Sequence, residues 1–390
     1  MQIPEYFEFF NKTKLCSGKM ALENISFDLK SMDSVKPLVV TDNRSVKSGY
    51  VKILKKSFYD SGMVNGAIYD RVNDYPSTAT VREIAELYRI RGCDSIISLG
   101  GNSPAAVAKG LNILVSNRSD NLMDFTDMSR SASLRPFLSV LTSAAAGTET
   151  SSEAVIDARS YRSFDLMPDI VYIDARLAKK GNTNQIVNAG LMSLAQSIEA
   201  CNFEESNPVN DSFAYASISA LYSNIAAVVK KSGASKDMPA FINGLAISGI
   251  VRSNAAAGLA GAIGLETEKL TGFSAGIVAG IVLPRLLEYK LQKVKTGVRP
   301  ELLLPIAGID TYCSTDENRR ASLSVELIYE LLGKLKDNVP DNIKMMPIPE
   351  YMIERIASGA EARGGKNYPK GTTLKVLEMA YHGKKSSEVK

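Results

Sequence analysis

The stretch that most constrains this chain is Ser95-Ile96-Ile97-Ser98-Leu99, which runs into Gly100-Gly101-Asn102-Ser103-Pro104 and on through Ala105 to Val115. An apolar run, a glycine turn and a segment of helical composition predict strand, turn and helix. Ser103 is placed to cap the helix and Pro104 suits its first turn. Such a turn lets backbone N–H groups and the positive end of the helix dipole meet a phosphate. It serves equally as a tight connection, and spacing alone does not choose between the two.

The same alternation extends on both sides. Lys36 to Asp42 reads as a buried strand, followed by a helix from Val51 to Phe58, a second strand from Asn65 to Val72 and a helix from Thr80 to Arg91. Pro136 to Leu141 is another strand, opening into Thr142-Ser143-Ala144-Ala145-Ala146-Gly147-Thr148-Glu149, and Asp165 to Asp174 gives a turn and a strand. Strands alternating with helices predict a parallel sheet with helices on both faces. Asp42, at the end of the first strand, suits either a hydrogen bond from an adenosine ribose or the capping of the next helix.

From about Thr183 the pattern changes to long helices with short connections. These are Ile186 to Phe203 (with Asn182 or Thr183 as cap), Asn210 to Lys231, Met238 to Gly264, Gly272 to Tyr289, Ser322 to Leu335 and Thr372 to Tyr381. The expected fold class is therefore α/β plus all-α. Residues 1–181 form a parallel-sheet, nucleotide-binding domain and residues 182–390 a helical one, with the crevice between them as the default ligand site. A formal net charge of +4 over 390 residues gives no support for a nucleic-acid partner. Cys16, Cys93, Cys201 and Cys313 are too far apart for a zinc spacing or a disulfide framework. The N-terminus lacks the basic-then-apolar order of a signal peptide, and Ala/Gly-rich segments such as Ala255 to Leu265 fall short of a bilayer span. The expectation is a cytoplasmic chain without a membrane partner.

Taken in order, the short motifs add up. They are Tyr69-Asp70-Arg71-Val72, Gly100 to Lys109, Thr142 to Glu149, Met167-Pro168-Asp169-Ile170 with Ile173-Asp174, and Ser197-Ile198-Glu199-Ala200 with Asn207-Pro208-Val209-Asn210-Asp211. Ser253-Asn254-Ala255-Ala256-Ala257-Gly258-Leu259 and Gly276 to Pro284 follow. This set resembles the iron-containing (group III) alcohol dehydrogenase family, of the dehydroquinate-synthase-like fold, from about Lys36 to Tyr381. The resemblance implies an NAD(P)-dependent oxidoreductase with a divalent metal, and relatives that form dimers make a homo-oligomer the expectation. It assigns Gly100, Gly101, Asn102, Ser103, Thr142 and Ser143 to the cofactor, NAD or NADP, with Asp42 as the ribose candidate read above. The family's Gly-Gly-Gly-Ser is here Gly100-Gly101-Asn102-Ser103. Asn is the non-glycine residue that best tolerates positive φ, so the turn is expected to survive. The family's Asp ahead of the lysine is Ala106, while Lys109 is kept, and Ala145 and Ala146 replace a Gly and a Thr.

The metal ligands do not carry over. The positions that the resemblance assigns to the family's Asp and three His are Met192, Gln196, Gly261 and Ala275, and a further pocket His falls at Leu265. The composition agrees: the chain has one histidine, His382, so no multi-histidine site can form. Neither iron nor zinc is expected, although Glu199, Glu266 and Glu268 leave a carboxylate substitute open. Without a metal, a carbonyl oxygen needs another electrophile. Gln196, Arg252, Lys269 and Arg285 lie near the lost ligand positions and are the candidate catalytic groups. The expected function is metal-independent hydride transfer to or from a small carbonyl or alcohol. A catalytically silent relative that binds a ligand or a partner is the alternative.

Overall fold

The computed structural model describes residues 4–383 apart from 60, 65, 143–144, 178–181, 203–205, 232–234, 294–296 and 365–367. Two compact units divide the chain: Phe10–Gly181, and Asn182–Lys390 together with the residues up to Phe9.

The Phe10–Gly181 unit holds strands β1 (Lys14–Gly18), β2 (Pro37–Thr41), β3 (Ala67–Tyr69), β4 (Ser95–Gly100), β5 (Phe137–Leu141), β6 (Glu153–Ile156), β7 (Arg159–Arg162) and β8 (Ile170–Asp174). Its helices are α1 (Ile25–Ser31), α2 (Asn43–Lys47), α3 (Tyr50–Lys56), α4 (Thr78–Arg91) and α5 (Asn102–Ser116). Six strands form one wholly parallel sheet in the order β1-β8-β5-β4-β2-β3. Alternate residues feed two cores. Leu38, Val40, Ile96 and Phe137 pack with α4 and α5, whereas Val39, Ile97, Leu99 and Leu138 pack with Leu22, Ile25, Leu29 and Leu54. Burial on both faces is why β2, β4 and β5 read as continuous apolar runs.

Two features escaped the sequence pattern. Strand β1, Lys-Leu-Cys-Ser-Gly, lies at the sheet edge and is largely exposed, so it carries no apolar run. The β6–β7 hairpin turns through Asp157 and Ala158, which take φ of 48° and 59°. Positive φ at both central residues is the hairpin turn whose twist suits the flanking strands, and glycine or asparagine is its usual occupant. Asp157 also works outside the turn, accepting the Thr78 N–H at the start of α4 (2.8 Å).

The second unit is helical: α6 (Thr183–Ala200), α7 (Pro208–Lys230), α8 (Met238–Ser253), α9 (Leu259–Thr271), α10 (Ala275–Lys293), α11 (Leu303–Ser314), α12 (Glu317–Lys334), α13 (Ile353–Gly364) and α14 (Thr372–His382). Asn182 caps α6 by accepting the Asn184 N–H (2.9 Å). Helix α7 is long and apolar enough to cross a bilayer by length and composition alone. Its stripe of Ala214, Ile218, Leu221 and Ile225 is nevertheless wholly buried within the protein, against a bundle that includes α6 and α8. The single helix expected over Met238 to Gly264 is two, broken at Asn254–Gly258. The cause is Glu199, whose buried carboxylate accepts the Leu259 N–H (2.6 Å) and the Ala260 N–H (3.1 Å) and so starts α9 afresh. A Cβ at Gly258 would stand 2.4 Å from Glu199 Oε2, so only glycine admits that carboxylate.

Replacing Ala158 by Gly relieves the left-handed strain of an L side chain, offset in part by glycine's greater unfolded-state entropy. The expected outcome for Ala158→Gly is a gain of about 0.5–1 kcal/mol, read as a higher urea midpoint with unchanged slope.

Candidate functional site

In the Phe10–Gly181 unit the chain moves outward from β2 to β3, then returns to place β4 on the other side of β2, followed by β5 and β8. The β2/β4 pair is thus a topological switch point, and the crevice beyond its carboxyl ends is where open α/β sheets bind ligands. Asp42 follows β2, Gly100 ends β4 and Thr142 follows β5, so three of the sequence's cofactor candidates meet there.

Short hydrogen bonds fix these ends together. Asp42 Oδ1 accepts the Ser45 N–H (2.7 Å) and so caps α2; its other oxygen lies 3.8 Å from Arg44 Nε. Arg44 also pairs with Asp74, whose backbone carbonyl accepts the Ser103 hydroxyl (2.7 Å). The Thr142 N–H donates to Gly100 O (3.2 Å), and the Thr142 hydroxyl lies 3.4 Å from that of Ser45. Ser143 lies outside the described residues.

Two expectations about the turn are corrected. Ser103 does not cap α5: the capping position is Gly101, which has no side chain, and the Ser103 hydroxyl is turned to Asp74. Asn102 does not take a positive φ; it is the first residue of α5, and its Oδ1 accepts the Ala146 N–H (3.0 Å). Gly100 is needed for a different reason, since a Cβ there would stand 2.6 Å from the Pro104 ring. With no capping side chain, the first N–H groups of α5 are left to water or to an anion. The residues present therefore fit the pyrophosphate of a dinucleotide.

Lys109, seven residues after Asn102 and on the same face of α5, is 0% exposed. Its ammonium donates to the carbonyls of Thr148 (2.6 Å), Ser151 (2.6 Å) and Glu153 (3.0 Å). Asn102 and Lys109 thus hold the loop after β5 at two points. The seven-residue spacing of two polar residues in an apolar helix was the sequence signal for this clamp.

In the helical unit, three of the positions that the resemblance assigns to metal ligands lie close together. A Cβ built at Gly261 of α9 would lie 3.6 Å from Met192 Sδ and 3.9 Å from Gln196 Cγ, both on α6. The fourth, Ala275, opens α10 beside Gly264, one turn beyond Gly261; a Cβ on Gly264 would stand 2.2 Å from the Ala275 carbonyl oxygen. This donor set is a thioether and a carboxamide with two positions that offer no side-chain donor, and it does not fit a hard or borderline divalent cation. Among the described residues, no group of three or more His, Cys, Asp or Glu is placed to hold a metal. The three acidic residues each face another task. Glu199 starts α9, Glu266 pairs with Lys269, and Glu268 Oε1 lies 3.4 Å from the Ala275 N–H.

The remaining candidates separate. Gln196 Oε1 is buried and has no hydrogen-bond partner among the described residues, an acceptor left for something the chain does not supply. Arg252 is half-buried in the last turn of α8. Arg285 is not open to a ligand. Its guanidinium donates to the carbonyls of Ile281 (2.9 Å) and Asp341 (2.7 Å) and stacks on Tyr329. Lys269 sits in a half-exposed ion pair with Glu266 (2.9 Å), so it is a surface charge. The sole histidine, His382, ends α14 and lies 3.4 Å from Glu350. Burial pushes the Glu199 carboxyl above its ordinary value, against the opposing pull of the Ala260 and Leu259 N–H groups and the Tyr368 hydroxyl.

Glu199→Ala leaves two buried N–H groups without an acceptor and is expected to cost about 3 kcal/mol. Glu199→Gln, which keeps an acceptor, costs markedly less. Denaturant unfolding of the two variants beside the parent checks this.

Residues 12–175 match the family model described as iron-containing alcohol dehydrogenase. The NAD-dependent methanol dehydrogenase of Bacillus methanolicus is 23% identical over 362 residues, covering 90% of this chain and 92% of that protein. The alcohol dehydrogenase from Oenococcus oeni superposes with a TM-score of 0.85 at 22% identity, covering 96% of this chain and 100% of that one. Sulfoacetaldehyde reductase from Bifidobacterium kashiwanohense, in complex with NAD+, gives 0.83 at 18% identity over 99% and 100% of the two chains. Over residues 12–175 the chain is thus similar to the iron-containing alcohol dehydrogenases, and its parallel-sheet and helical units have the fold of the solved structures of that kind.

Proposed function

We propose that the protein is an NAD(P)-dependent oxidoreductase that transfers hydride to or from a small carbonyl or alcohol without a metal ion. The observation that carries this reading is the pairing of an uncapped α5 N-terminus at the β2/β4 switch point with a ligand set reduced to Met192, Gln196, Gly261 and Ala275. The printed NAD dependence of the Bacillus methanolicus relative and the NAD+ complex of the Bifidobacterium reductase support the dinucleotide.

Gly101, Asn102 and Ser103 would hold the pyrophosphate through backbone N–H groups, and the clamp from Asn102 and Lys109 keeps the neighbouring loop in place. The bound dinucleotide supplies a hydride at its nicotinamide ring. In the helical unit, the Gln196 carboxamide takes the part of the absent cation. Its N–H groups donate to a carbonyl oxygen as negative charge develops there, and its unpartnered oxygen accepts from an alcohol O–H. A neutral amide stabilises an oxyanion less than a divalent ion does, so the reading implies slow turnover or an activated carbonyl.

One observation favours the second reading, a catalytically silent relative that binds a ligand or a partner. Arg285 and Lys269 are both held by other groups, so the lost ion is not matched by a cluster of free cations.

Titration with NADH and NADPH, after chelator treatment and metal analysis, decides between the two. The expected result is saturable binding, aldehyde reduction unaffected by chelator, and about a hundredfold fall in kcat for Gln196→Leu with the NADH dissociation constant unchanged. Activity that disappears with chelator and returns with iron or zinc overturns the metal-independent part. No binding of either nucleotide at millimolar concentration leaves the silent relative.

A further inference from the structure

Positive charge is concentrated in the segment that carries α1 and α3. Residues 12–60 hold ten Lys and Arg against five Asp and Glu, an excess of five, whereas the whole chain nets +4. Ile25 and Leu29 of α1, Leu54 of α3 and Phe58 just after it share one core with the sheet, so both helices cover the same sheet face and turn their other sides outward. On α3 that outward side is Lys52, Lys55 and Lys56, which the helical spacing places together and which are all exposed. On α1 it is Phe27 and Lys30. Among the described residues none of these four lysines has an ion pair. Most carboxylates of the segment are already engaged: Glu23 pairs with Arg176, Asp28 with Lys14, and Asp42 caps α2.

Large apolar side chains stand out among these charges. Phe27 is 73% exposed and Tyr59 80% exposed, each within three residues of an exposed lysine, Lys30 and Lys56 respectively. A second copy of the chain would bring the same lysines against each other. Protein interfaces are poor in Lys and rich in Arg, whose planar fork pairs with carboxylates; the outward cations of α1 and α3 are lysines alone. Point charges on long stems, beside protruding aromatic rings, suit a fluid layer of phosphate headgroups. There the rings enter the interface while the ammonium groups stay with the phosphates.

We propose that the α1–α3 face is a docking surface for an anionic lipid bilayer, with Lys30, Lys52, Lys55 and Lys56 on the phosphates and Phe27 and Tyr59 in the headgroup layer. Contact of this kind is peripheral and needs neither a spanning helix nor a leader segment. It is independent of the dinucleotide reading above.

Sedimentation of the full chain with vesicles tests this. The expected result is binding to mixed phosphatidylglycerol and phosphatidylcholine vesicles that weakens as salt rises, and none to phosphatidylcholine alone. Partition falls about tenfold or more in the Lys52→Gln/Lys55→Gln/Lys56→Gln variant. It falls about fivefold or more in Phe27→Ser/Tyr59→Ser, which keeps every charge. These substitutions face solvent, so the unfolding midpoint stays at that of the parent. The chain has no tryptophan, so Phe27→Trp supplies a single reporter, whose emission shifts to the blue on adding the anionic vesicles. No sedimentation with anionic vesicles in low salt, or an indole that stays in water, overturns the proposal. Partition that needs the lysines but not the two rings, with tight binding to poly-glutamate, assigns the face to an acidic polypeptide and overturns it too. A parent dimer that Phe27→Ser/Tyr59→Ser renders monomeric assigns the face to a second copy, with the same consequence.

Discussion

The surface that the Phe10–Gly181 unit presents beyond its strands depends on one buried ammonium. Lys109 lies inside the protein and donates to three backbone carbonyls of the segment that follows β5. A charge so far from water persists only where it is fully hydrogen-bonded. The need runs both ways: the lysine requires the carbonyls, and the carbonyls of the segment gain a buried donor. Asn102 repeats the arrangement two turns earlier with opposite polarity, accepting where Lys109 donates. One helix thereby serves as core element and as scaffold for the segment after β5.

Glu199 plays the corresponding part in the helical unit. Its carboxylate ends the freedom of the chain between α8 and α9, fixes where α9 begins and so sets which α9 residue faces Met192 and Gln196. The family resemblance drew attention to this stretch for its ligands. The structure shows that the acidic residue within it has an architectural role, which persists independently of any ion.

How much of this was legible in the sequence follows from where each residue lies. Strands β2, β4 and β5 are buried on both faces, so their apolar runs announced them; β1 is an exposed edge and gave no signal. The Asn254–Gly258 break was hidden because an Ala/Gly-rich segment reads as helix until the side chain that interrupts it, from a residue far away in sequence, is known. The strand, turn and helix around Gly100, Gly101 and Asn102 were legible because a turn between strand and helix has a local pattern. Arg285 and Lys269 were misread for the opposite reason. Nothing local distinguishes a cation that awaits a ligand from one already held by the carbonyl of Asp341 or the carboxylate of Glu266. On the metal, composition reaches one point only: a single histidine rules out a multi-histidine site.

Gly261 has a consequence for what the space beside Met192 and Gln196 can take up. A side chain added there would meet only ordinary van der Waals neighbours, whereas one added at Gly264 or Gly276 would run into backbone. The main chain at Gly261 thus keeps room for a group that the residue does not carry. A side chain added there would enter the space beside Met192 and Gln196 without displacing main chain, so a point substitution can change the donor set while the surrounding helices stay as they are.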